Sequence, residues 1–91
     1  MASERWSDMN VTLKLYATLK DYLPPDAQDH ATQLDTSPGT TPNQLIDRYN
    51  VPRPMAHLVV LNGVYLHPSE RDKPVLKEGD TLAIWPPVAG G

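Results

Sequence analysis

From residue 11 the chain alternates strictly: Val11, Leu13 and Leu15 are apolar, and Thr12, Lys14 and Tyr16 stand between and after them. That period of two predicts a half-buried strand. Residues 17–23 suit one or two helical turns before Pro24-Pro25 stop them. A weaker strand fits residues 31–35. Ser37-Pro38-Gly39-Thr40 reads as a turn, and a specific helix start follows it. Thr41 can cap, Pro42 suits the first helical position, and Gln44 completes a T-x-x-Q capping box. Leu45, Ile46 and Tyr49 make one apolar stripe, and Pro52 is expected to close the helix after about two and a half turns. So short a helix must pack its stripe on a sheet.

The strongest structural signal is a hairpin. Residues 57–61 and 64–67 flank Asn62-Gly63, the pair that supplies both positive φ angles of a type I′ turn. The expected register sets Leu61 opposite Val64, Val60 opposite Tyr65 and Leu58 opposite His67. Gly79-Asp80 makes a further turn before a last strand at 81–85, where Leu82 and Ile84 alternate with Ala83 and Trp85. The order strand, strand, helix, strand, strand, strand predicts an α+β roll of the ubiquitin type. It would be a mixed sheet of about five strands with one main helix packed across it. A final strand lying centrally, parallel to the first, would let both cover the same helix. Residues 1–9 are polar and without periodicity and are expected to be a flexible leader; residues 10–87 form the domain, and residues 88–91 an extended tail.

Composition narrows this picture. Ten prolines in 91 residues leave no room for a helical bundle. Eight Lys and Arg against eleven Asp and Glu give a net charge of −3 without a basic cluster, which argues against nucleic-acid binding. No apolar run exceeds Leu58-Val59-Val60-Leu61, far short of a membrane span or a signal-peptide core. The protein is therefore expected to be soluble and cytoplasmic. With no cysteine there is no disulfide, no thiolate metal site and no internal nucleophilic thiol. Any sulfur chemistry must use imported sulfur.

Few residues carry chemistry of their own. His30, His57 and His67 share neither a helix face nor a hairpin pair, so no metal is expected. No phosphate-cradling glycine motif or serine nucleophile motif occurs. The acidic pairs Asp26/Asp29 and Glu78/Asp80 lie in turns and read as solvated carboxylates. What remains is the ending Trp85-Pro86-Pro87-Val88-Ala89-Gly90-Gly91. Two prolines after a strand stop it and impose a stiff extended path. At about 3.3–3.6 Å per residue, residues 88–91 reach on the order of 13 Å beyond Pro87, enough to enter another protein's active site. Gly90 and Gly91 lack Cβ atoms, so the backbone fits a slot too narrow for side chains. The reactive group delivered there is the terminal carboxylate of Gly91, with a typical pKa of about 3.3–3.7. An ionised carboxylate is a poor electrophile and needs activation, for example as an acyl adenylate, before sulfur or an amine attacks it. The bland alternative is a flexible end that happens to finish in Gly-Gly.

A ubiquitin-like strand order ending in Leu-Lys-Glu-Gly-Asp-Thr-Leu-Ala-Ile-Trp-Pro-Pro-Val-Ala-Gly-Gly resembles the MoaD/ThiS family of bacterial sulfur carriers, which have the β-grasp fold. The P-P-V-A-G-G ending is closer to MoaD, the small subunit of molybdopterin synthase, than to ThiS of thiamine synthesis. The resemblance spans about residues 11–91; the leader lies outside the usual family length. It implies a non-catalytic sulfur donor that binds no cofactor. An ATP-using MoeB-like enzyme would adenylate Gly91, and a sulfurtransferase would supply sulfur. The resulting thiocarboxylate would then be donated to a pterin precursor in a MoaE-like large subunit, two carriers being consumed per dithiolene. A carrier for thiazole or thioamino-acid synthesis, a ubiquitin-like modifier forming isopeptide bonds through Gly91, and a plain interaction module remain as alternatives.

The alternation also predicts a surface. If Val11, Leu13 and Leu15 face the helix, Tyr16 points outward; if Leu82 and Ile84 do, so does Trp85, beside the tail. Tyr65 shares the hairpin face of Val60. The resemblance implies that partners dock on an apolar patch of the sheet, made here by Tyr16, Val60, Tyr65 and Trp85 and continued by Pro86, Pro87, Val88 and Ala89. Clustered exposed aromatics in a small protein favour binding over a place at the core edge.

Overall fold

The computed structural model describes residues 8–87. Strand β1 (Met9–Leu15) buries every second side chain, Met9, Val11, Leu13 and Leu15. It starts two residues ahead of the obvious alternation because Met9 is in phase with it. Met9 pairs with Thr36 of β2 (Ala31–Thr36), and so lies one residue inside the segment expected to be a leader. Residues 1–7 lie outside the described residues. A 3₁₀ helix, Ala17–Tyr22, follows β1 and is pinned by the fully buried Leu19.

The helix α1 (Pro42–Arg48) opens as its residues predict. The Gln44 amide donates to the Thr41 hydroxyl at 3.2 Å, and the Thr41 amide donates to Gln44 Oε1 at 2.9 Å. Its end is different from the expectation placed on Pro52. Asn50 adopts a left-handed φ of 63°, its amide donates to the Asp47 carbonyl, and the Val51 amide donates back to Ile46. This is a Schellman cap, with Val51 and Ile46 packed in the same core, and it stops the helix three residues before proline does. Leu45 and Ile46 are fully buried; Tyr49 packs at the margin.

Strands β3 (Leu58–Leu61) and β4 (Val64–Tyr65) form the hairpin, with Asn62 and Gly63 at φ 51° and 86°. Val60 pairs with Tyr65 and Leu61 with Val64, as expected. The Leu66 amide still reaches the Val59 carbonyl at 2.8 Å, but the Leu58–His67 pair does not form. Pro68 holds the residue before it extended, and His67 instead caps the 3₁₀ turn Pro68–Glu70. Leu58 is left without a strand partner on that side, 38% exposed.

Among the described residues the sheet has five strands in the order β2-β1-β5-β3-β4, with β5 (Thr81–Trp85) central and parallel to β1 and the other pairs antiparallel. Leu13, Leu15, Leu82, Ile84 and Val59 send their side chains to one face, where α1 covers them. Each such fully buried aliphatic side chain contributes about 1.5–3 kcal/mol. The Gly79-Asp80 turn locks the entry to β5. Asp80 accepts from the Lys77 amide and from Asn62 Nδ2, both at 2.8 Å, while the Thr81 amide donates to Asn62 Oδ1 at 2.9 Å. The hairpin turn and the start of the last strand are thereby fastened together.

Candidate functional site: the outer sheet face and the root of the tail

The face turned away from α1 collects the outward positions of the central strands. Tyr16, just past β1, continues its outward row; Ala83 and Trp85 come from β5, Leu58 and Val60 from β3, and Tyr65 from β4. In register Trp85 lies beside Leu58, Ala83 beside Val60, and Val60 beside Tyr65. Leu58 and Tyr65 are 38% and 42% exposed, so this apolar ledge meets solvent. Lys14 stands next to Ala83 and puts a cation at the ledge's β1 border.

Parallel pairing of β1 with β5 brings Tyr16 and Trp85 together. The Tyr16 amide donates to the Ile84 carbonyl at 3.0 Å, and the two rings stack with centroids 4.5 Å apart and planes 6° apart. His30 stacks on the other side of Tyr16 at 5.4 Å and 22°. The column therefore runs His30, Tyr16, Trp85, and it ends at the residue from which Pro86 and Pro87 leave the sheet.

Tyr65 is on the same face but outside this column, with the outward residues of β3 between. Its ring meets His67 edge-on at 5.0 Å, and the Arg71 guanidinium carbon sits 5.7 Å from its centroid. Arg71 is buried, yet it finds its partners in carbonyls, donating to Leu66 at 2.9 and 3.1 Å and to Ala56 at 3.2 Å. Tyr65 is thus held at the far rim of the ledge.

At the tail's root an open apolar groove of about 570 Å³ runs between Met55, His57, Leu58, Trp85, Pro86 and Pro87. Pro86 is half-buried and Pro87 exposed. Val88, Ala89, Gly90 and Gly91 lie outside the described residues. Among the described residues no group of three or more His, Asp or Glu side chains is placed to hold a metal ion. Nor is any helix long and apolar enough to cross a membrane. The ion pair of Asp47 and Arg53, 2.7 Å long and exposed, belongs to the helix side of the sheet. The hydrogen bond from Arg53 holds the Asp47 carboxyl below its usual range, and Asp47 in turn raises Arg53.

Leu58 and Ala83 of the ledge and His30 of the column stand outside the sequence-predicted patch, for different reasons. Leu58 has the same outward phase as Val60, and Ala83 as Trp85, so the alternation already contained both. His30 carried no local signal, because its ring reaches Tyr16 only through the pairing of β2 with β1.

A mixed five-strand sheet with a central parallel pair and one helix across it defines a β-grasp, ubiquitin-like protein. The ThiS family model matches residues 13–91, and the chain belongs to that family of small ubiquitin-like carriers. The solution structure of the Haloferax volcanii HVO 2177 protein is similar, with a TM-score of 0.74, 17% identity, and coverage of 93% of this chain and 89% of that one. SAMP1 from the same organism gives a TM-score of 0.61 at 22% identity, covering 90% of this chain and 99% of that one. A Pyrococcus furiosus protein assigned as molybdopterin converting factor, subunit 1, gives 0.60 at 19% identity, covering 88% and 99%. No curated protein matches the sequence.

Proposed function

We propose that the chain is the sulfur carrier of a molybdopterin-type pathway, acting as a co-substrate while its partners supply the catalytic side chains. One observation carries the reading. The family match extends through Gly91, and the fold delivers Pro86 and Pro87 at the end of the central strand, beside an exposed apolar ledge. A MoeB-like enzyme docks on that ledge and takes the tail into its site. The Gly91 carboxylate attacks the α-phosphorus of ATP and pyrophosphate leaves. The terminal sulfur of a sulfurtransferase persulfide then displaces AMP to give an acyl disulfide, and a thiol of the partner cleaves its S–S bond, forming a disulfide there and releasing the thiocarboxylate at Gly91. A MoaE-like large subunit accepts the same tail and passes the sulfur to its pterin precursor. None of these steps needs a cofactor bound to the carrier.

Intact mass decides the chemistry. Incubation with a MoeB-type enzyme, ATP and a sulfur donor is expected to replace one oxygen by sulfur, and deletion of Gly91 to abolish the change; an unchanged mass overturns the reading. Addition of a MoaE-type subunit and a pterin precursor then tests the acceptor. If the thiocarboxylate forms but is not consumed, the carrier serves another pathway, such as thiazole or thioamino-acid synthesis.

A second reading, conjugation to other proteins, is favoured by the likeness to SAMP1 from Haloferax volcanii and to the small archaeal modifier protein 1 from Methanosarcina acetivorans. Proteolysis of host proteins that leaves a Gly-Gly remnant of this chain on lysines is its signature.

A further inference from the structure

We infer that Tyr16, clamped between His30 and Trp85, is a positioning residue that fixes the direction in which the tail leaves the sheet. The inference rests on the carrier reading for its use, but its geometry stands apart from it. Trp85 is the last residue of β5, and its ring lies 6° from parallel to Tyr16 at 4.5 Å. Its carbonyl accepts from the His57 amide at 3.1 Å, so both its backbone and its side chain are held. Pro86 and Pro87 follow with φ locked by their rings. An orientation fixed at Trp85 is therefore carried stiffly through Pro86 and Pro87.

The backbone around the column supports a built device. Five non-glycine residues among those described have left-handed φ, and three of them, Ala17 (55°), Asp29 (54°) and His30 (63°), flank this stack. Asp and His enter this region more readily than most residues and a tight two-residue turn requires it of both, whereas for Ala17 it persists because the surrounding structure enforces it. Asp29 and His30 form a tight two-residue turn closed by paired bonds between Gln28 and Ala31, at 2.9 and 3.2 Å. The Leu15 amide ties the His30 carbonyl to β1 at 2.9 Å. His30 is thereby set against one face of Tyr16, whose other face meets Trp85.

A tail that must present a carboxylate to an ATP phosphorus gains rate from orientation, and loses it when the root is loose. A mere docking contact would affect affinity instead. Two measurements separate these. In the free protein, NMR relaxation is expected to give the Trp85 indole N–H a rigid order parameter of about 0.85, falling below about 0.6 in Tyr16→Leu. With a MoeB-type enzyme and ATP, pyrophosphate release at varied carrier concentration should show kcat reduced roughly three- to tenfold, the rate equivalent of one aromatic contact, in addition to any rise in KM from the loss of the ring from the ledge. Tyr16→Phe, which retains the ring, should recover the lost rate. His30→Gly removes the outer ring while suiting the left-handed backbone, and it carries the test if Tyr16→Leu does not fold. A rise in KM at constant kcat, or an unchanged Trp85 order parameter, overturns the inference. If the wild-type protein releases no pyrophosphate, the carrier reading fails, and the order parameter alone decides the positioning role.

Discussion

Ala17 enters its 3₁₀ helix with φ at 55°, a conformation that crowds a Cβ against the following carbonyl. The residue is exposed, so its methyl group gains little by burial there. Ala17→Gly is therefore expected to raise stability by about 0.5–1 kcal/mol, the backbone relief being partly offset by the greater freedom of glycine in the unfolded chain. Chemical denaturation with an unchanged slope checks it. Asn50 and Asn62 also adopt left-handed φ, but asparagine tolerates this region far better, and both occupy caps or turns that require it. Of these, the Asn62-Gly63 turn was readable from the residue types. Ala17, Asp29 and His30 were not, because alanine carries no preference for positive φ and Asp29-His30 lacks the glycine that marks such a two-residue turn in a sequence.

At the scale of the element, α1 shows how a seven-residue helix is made unambiguous. Such a helix is marginal alone, so its ends matter as much as its stripe. Thr41→Ala removes the hydroxyl that accepts from the Gln44 amide and should cost about 1 kcal/mol, read as a fall in the denaturation midpoint. The start was legible because a capping box is written in consecutive residues. The finish was misjudged because Pro52 is the louder signal, whereas the actual stop is an asparagine whose role depends on Val51 meeting Ile46 in the core. The hairpin repeats this lesson. Its turn and first two pairs follow from Asn62-Gly63, and its length is cut by Pro68, which diverts His67 before it can pair. The Asp47–Arg53 pair, which joins the last turn of α1 to the segment after it, contributes above the ordinary carboxylate range. That contribution is lost as acid protonates Asp47 through its lowered pKa. Being exposed to solvent, the pair adds little.

For the whole molecule the decisive arrangement is the parallel pairing of the first and last strands. It buries Leu13, Leu15, Leu82 and Ile84 under one helix and, by the same alternation, lines the opposite face with Tyr16, Ala83 and Trp85. Core and ledge are two sides of one register, so a change on the ledge leaves the core in place. Leu58→Asp is accordingly expected to keep the melting temperature within a few degrees, since Leu58 is already 38% exposed. It should weaken capture by a MoeB-type enzyme at least tenfold in titration calorimetry, because a charge would be desolvated at the centre of the contact. A Leu58→Asp carrier that binds as the wild type does would move the docking face elsewhere.

The sequence by itself determined the strands, the helix start, the hairpin turn and the family-like ending, since each is written in neighbouring residues and in a period of two or 3.6. It also fixed which residues face outward once a strand was accepted. Only the tertiary structure decided the strand order, the Schellman stop after Arg48, the short β4, and the column of His30, Tyr16 and Trp85. These depend on contacts between segments far apart in the chain, here residues 16, 30 and 85. No local pattern records a contact whose two halves are chosen by the packing of the whole sheet.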